Sequence, residues 1–130
     1  MRKEAVILAD ELGKLGGTAS KWIFRLLPMS EAKQSFIVKM DAERAKSEIK
    51  TCLEKLGVMS KDLSTNKRLS AVVGSGVLGL NPSILHVYFK LTDSGVSINV
   101  HALAKEGLIK QGTALKAVKA FVREFGGSNA

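Results

Sequence analysis

Ile84-Leu85-His86-Val87-Tyr88-Phe89-Lys90-Leu91-Thr92-Asp93-Ser94-Gly95-Val96-Ser97-Ile98-Asn99-Val100-His101-Ala102 is the stretch that decides the fold of this 130-residue chain. Leu85, Val87, Phe89 and Leu91 alternate with polar or titratable residues, and Val96, Ile98, Val100 and Ala102 do the same. A period of two is the mark of a strand with one buried face. Thr92-Asp93-Ser94-Gly95 between the two runs has turn chemistry, so they form an antiparallel hairpin. Residues directly opposite one another share a face, so the register must lay one apolar set on the other. A connection that pairs Leu91 with Val96 does this, whereas a three-residue loop would set Leu91 against Ser97.

That register has a consequence for chemistry. His86 falls opposite His101, Tyr88 opposite Asn99 and Lys90 opposite Ser97, all on the face away from the apolar sets. With Lys39 from the preceding strand they make a candidate cluster: His86, His101, Tyr88, Asn99, Lys90 and Lys39. Two histidines fall short of the three or four ligands of a metal site, and no cysteine or carboxylate is expected on this face, so no metal is assigned. A histidine can act as acid or base near neutral pH, but no nucleophile or paired carboxylate is expected beside it. The ring of Tyr88 and the imidazoles suit base stacking, with Lys39 and Lys90 on phosphates. Ile37, Val72 and Leu103 share the face, however. Their presence favours a surface covered by the N-terminal segment or by a second subunit.

Outward from the hairpin the pattern continues. Phe36, Val38 and Met40 alternate as a strand from about residue 34, and Asp41 is a good N-cap. A helix follows with Ala42, Ala45, Ile49, Cys52, Leu53 and Leu56 on one side, and Gly57 fits a left-handed position after its last turn. Residues 60–67 read as a polar loop, and Leu69, Ala71 and Val73 as the strand before the hairpin. After the hairpin comes a connection from Lys105 to Gly112. Thr113 is expected to cap a last helix with Leu115, Val118, Val122 and Phe125 inward, ending at Gly126-Gly127. The expectation is an α+β fold: a four-stranded, mainly antiparallel sheet in β-α-β-β-β-α order with two helices on one face. Small folds of this element order include helix-grip and TATA-binding-like arrangements, a resemblance of architecture alone.

Ahead of this core, Ala5, Leu8, Leu12 and Leu15 lie at helical spacing and Gly16-Gly17 stops them. Trp22, Ile23, Leu26 and Leu27 make a second stripe that ends at Pro28. The reading is an N-terminal helical hairpin, and a division into a helical extension (1–33) and an α+β core domain (34–130) that fold as one unit.

Two glycine-rich stretches invite a phosphate. Gly74-Ser75-Gly76-Val77-Leu78-Gly79 spells GxGxxG, but Asn81-Pro82 and a strand follow where a dinucleotide site needs a helix. The string is expected to be a connection between strands. Lys105, Lys110, Gly112, Thr113 and Lys116 surround the start of the last helix, where free amides and the dipole favour an anion. Apolar Leu108 and Ile109 in the same loop favour a plain connection with hydrated lysines.

Composition narrows the classes. The formal charge is +8, of which residues 67–130, with eight basic and three acidic groups, carry +5. Such an excess suits an anionic partner, nucleic acid included. One cysteine excludes an internal disulfide and fits a reducing, cytoplasmic setting. No apolar run approaches the ~18 residues of a membrane span, so no stable membrane insertion is expected. Asp10 and Glu11 break the first apolar stretch, unlike a signal peptide. The expectation is a non-catalytic, self-associating module, a homodimer, whose basic half contacts an anionic ligand or nucleic acid, with no cofactor. The alternatives are a small-molecule or lipid pocket under the helices, and single-stranded nucleic-acid binding on the open sheet face.

Overall fold

Two strands, Ser83–Thr92 (β4) and Gly95–Lys105 (β5), form the hairpin in the register demanded by their apolar sets. Leu91 lies opposite Val96, His86 opposite His101, and the ladder reaches one further pair, Thr92 with Gly95. The turn therefore tightens to Asp93-Ser94. The computed structural model describes Glu4, Ile7 and residues 29–74, 82–105 and 112–128. The remaining described elements are β1 (Met29–Val38), α1 (Ala42–Leu56), β2 (Gly57–Met59), β3 (Arg68–Val73) and α2 (Thr113–Ser128).

Among the described residues the sheet has five strands, in the order β1-β5-β4-β3-β2, where the sequence pattern predicts four. Every neighbouring pair is antiparallel. From β1 at one edge the chain crosses through α1 to β2 at the other edge. It then meanders back through β3 and β4 until β5 closes on β1. The added strand is β2, and it corrects the reading of Gly57. This residue has φ −177° and ψ −144°, extended rather than left-handed, and it begins the strand directly after the helix. Its glycine character answers to space: a Cβ there would lie 2.0 Å from the Val72 carbonyl oxygen. The N-terminal helical hairpin is not part of this described fold. It lies outside the described residues except for Glu4 and Ile7, both helical.

The two helices cover one face. Ala45, Ile49, Cys52, Leu53 and Leu56 of α1 and Ala117, Val118, Phe121 and Phe125 of α2 pack on Leu69, Ala71, Leu85, Val87, Ile98, Val100 and Ala102. The Val, Leu, Ile and Phe side chains among these contribute about 1.5–3 kcal/mol each when fully buried. Asp41 caps α1 as its residue type predicts, its carboxylate accepting from the Arg44 amide at 2.7 Å. Thr113 is instead the first residue of α2 and is buried, while Gly112 (φ +64°) precedes it and accepts from the Lys116 amide at 2.9 Å. The helix also runs through Gly126 and Gly127 to Ser128 instead of stopping at the glycine pair.

The other face is not bare. Leu63, Ile84 and Leu103 form a small buried cluster there, with Val72 and Ile7 against it. Ile7 of the same chain thus packs on one end of the second face, while Ile37 and Tyr88 nearer the β4–β5 turn are exposed.

Candidate functional site

Register alone assembles the second face into rows. Ser70, His86, His101 and Lys33 form one row across β3, β4, β5 and β1. Arg68, Tyr88, Asn99 and Ser35 form the next, and Lys90, Ser97 and Ile37 the one nearest the turn. Five of the six residues of the expected cluster share this face. Lys39 lies in the bend after β1, beyond the paired register, where Val38, Lys39, Met40 and Arg44 line a recess of about 350 Å³.

Burial divides the rows. His86 is only 2 % exposed. Its Nδ1 lies 2.6 Å from Ser70 Oγ, and Ser70 Oγ lies 3.1 Å from the Leu63 carbonyl. Its Nε2 lies 3.6 Å from a carboxylate oxygen of Glu4, beyond hydrogen-bond reach. Burial, followed by the Arg68 guanidinium, lowers the pKa of His86 to about 4, against the opposing pull of Glu4. At neutral pH the imidazole is uncharged. Ser70 Oγ donates its one proton to the Leu63 carbonyl or to Nδ1, and the imidazole tautomer sets which. His101 is more exposed, and its Nε2 meets Glu31 at 2.6 Å.

Ser70, His86 and Glu4 have the composition of a hydrolytic triad, which raises the question of catalysis. Ser70 is completely buried and its hydroxyl is shared between Leu63 and His86, so no substrate carbonyl can reach it. An imidazole held at a pKa of about 4 is also a weak base at neutral pH. The arrangement is a buried polar lock between β3, β4 and the N-terminal segment.

The row nearest it is the exposed one. Arg68 donates from Nε to the Leu63 carbonyl at 2.8 Å and holds its guanidinium carbon 5.8 Å from the centre of the Tyr88 ring. That is within cation–π range. Tyr88 is 37 % exposed. Ser35 donates to Asn99 Oδ1 at 2.5 Å, which fixes the Asn99 amide beside the ring. Lys33, Lys67 and Lys90 are exposed around this row. The described acids of the same face, Glu4 and Glu31, each stand against a histidine.

The pattern in β3 carried a signal for Ser70 and Arg68. With Leu69, Ala71 and Val73 on the helical face, Arg68, Ser70 and Val72 must lie with His86. Glu4 and Leu63 had no such signal, because their approach depends on packing across the sheet.

The second candidate site is only partly placed. Gly112 is exposed, Thr113 is buried and Lys116 is exposed on the first turn of α2, while Lys105 ends β5 and Lys110 lies outside the described residues. For the GxGxxG string, Gly74 (φ +87°) directly follows β3, and residues 75–81 lie outside the described residues. β3 and β4 on either side are antiparallel neighbours, unlike the parallel strands of a dinucleotide fold.

Among the described residues no group of three or more histidine, cysteine, aspartate or glutamate side chains is placed to hold a metal. No described helix is long and apolar enough to cross a membrane. The chain matches no protein-family model, and no curated protein is significantly similar to it.

Proposed function

We propose that this protein is a non-catalytic binding module that contacts an anionic partner through the uncovered end of its second sheet face. The observation that carries the reading is the placement of Lys33, Lys67, Arg68 and Lys90 around the half-exposed ring of Tyr88, where the nearby acids are engaged with histidines. Cations beside a stacking ring suit phosphates and bases of a single strand better than a neutral surface. Self-association through this face is the weaker reading, since Ile7 of the same chain already covers part of its apolar area.

Fluorescence anisotropy with a labelled single-stranded oligothymidylate tests the proposal. Binding is expected to weaken steeply with salt, because each phosphate contact releases counterions. Lys33→Glu and Lys90→Glu should each weaken binding and lower the salt slope by about 1. Binding that ignores salt, or that survives both substitutions, would overturn it.

A further inference from the structure

β4 outruns its neighbour. Arg68, the first residue of β3, lies opposite Tyr88, and beyond that point β4 pairs only with β5 among the described residues. The chain turns aside at Lys67, whose carbonyl still accepts from the Phe89 amide at 3.2 Å. This step in the sheet leaves a half-open groove of about 670 Å³ between the end of the strand and the first residue of α1. Its walls are Ala42, Phe89, Leu91 and Tyr88, and its polar lining residues are Lys67, Lys90 and Asn99.

From this lining we infer that the groove is a binding site for a small amphiphilic anion, an alkyl chain ending in a carboxylate. The volume falls within the range of small-molecule sites, about 300–1,000 Å³. Leu91 is 65 % exposed, a large apolar side chain left in water that an alkyl chain would cover. The charge selects the sign of the head group: among the described residues two ammonium groups line the groove and no carboxylate does. Asn99, already accepting from Ser35 on its oxygen, keeps an amide N–H₂ to donate to a carboxylate. The groove shares Lys67, Lys90 and Tyr88 with the proposed polyanion surface, and Leu91 and Lys33 distinguish the two.

The test is an amide chemical-shift titration of the full chain with decanoate below its micelle concentration, with decanol and decylammonium as the neutral and cationic counterparts. Decanoate is expected to shift Lys67 and Tyr88 to Leu91 saturably, and to bind at least about tenfold more tightly than either counterpart. Each added methylene should tighten binding up to about fourfold until the groove is full. Leu91→Gln, at an exposed position, should weaken decanoate about tenfold and leave oligothymidylate binding unchanged, whereas Lys33→Glu should do the reverse. Equal binding of decanol or decylammonium, shifts centred elsewhere, or indifference to Leu91→Gln would overturn the inference.

Discussion

Ser70 and His86 lie opposite each other on β3 and β4, joined by a buried hydrogen bond of 2.6 Å between Oγ and Nδ1. Ser70 Oγ also sits 3.1 Å from the Leu63 carbonyl, and Arg68 Nε reaches that carbonyl at 2.8 Å. One hydroxyl thereby ties two strands to the segment before β3. The same imidazole faces Glu4, so the lock reaches the N-terminal segment as well.

Ser70→Ala is expected to destabilise the fold by about 1–3 kcal/mol, since it strips a fully buried imidazole nitrogen of its partner. The Leu63 carbonyl keeps Arg68, so the loss centres on His86. Urea unfolding followed by circular dichroism measures it. An unchanged midpoint would mean that the hydroxyl contributes nothing net.

The pH dependence of stability follows from the same residue. His86 has a folded pKa of about 4 against an ordinary 6.5, so between these values the unfolded chain binds the extra proton. Stability therefore falls as the pH drops through 6.5 toward 4, and this contribution levels off below 4. The full drop is on the order of 3 kcal/mol. The difference between the unfolding curves of the parent protein and His86→Phe isolates it. Parallel pH profiles for the two would contradict the assignment.

Two glycines are required for different reasons, and alanine at each has a different signature. Gly95 has φ +137°, and a Cβ on it would sit 2.2 Å from the Val38 carbonyl oxygen of the adjacent strand. Gly95→Ala combines backbone strain of about 1–3 kcal/mol with a clash, and should lower global stability. Gly57 has an extended backbone, so Gly57→Ala strains nothing locally and instead pushes β2 off β3. Faster hydrogen exchange confined to β2 and the Ser60 amide, which donates to the Ser70 carbonyl, is the expected result.

The parts of this fold that were legible in the sequence are those where periodicity and turn chemistry agree. The hairpin register and the grouping of His86, His101, Tyr88, Asn99 and Lys90 follow from alternation across Thr92-Asp93-Ser94-Gly95, and the α1 stripe follows from helical spacing after the Asp41 cap. β2 was not legible. Gly57-Val58-Met59 is too short to show a period, and Val58 is 74 % exposed, so its strand character comes from pairing with Ala71–Val73. The burial of His86 was legible in part, since Ile37, Val72 and Leu103 on its face pointed to a cover without naming it. Alternation assigns a side chain to a face but does not say what lands on that face, and here Leu63, Ile7 and Glu4 land on it.

The route of the chain also sets an order in time. β3, β4 and β5 meet through neighbours in sequence, but β1 must wait for β5, its Met29 finding Lys105 at the far end of the sheet. Loop-closure entropy makes such a pairing late, once the meander already offers a template. Phe36 of β1 then meets Phe125 of α2, with ring centres 5.8 Å apart, so the two ends of the fold are clasped by one aromatic contact. During synthesis β1 meets its described partner only once β5 has emerged, so its edge waits through the making of α1 and the whole meander.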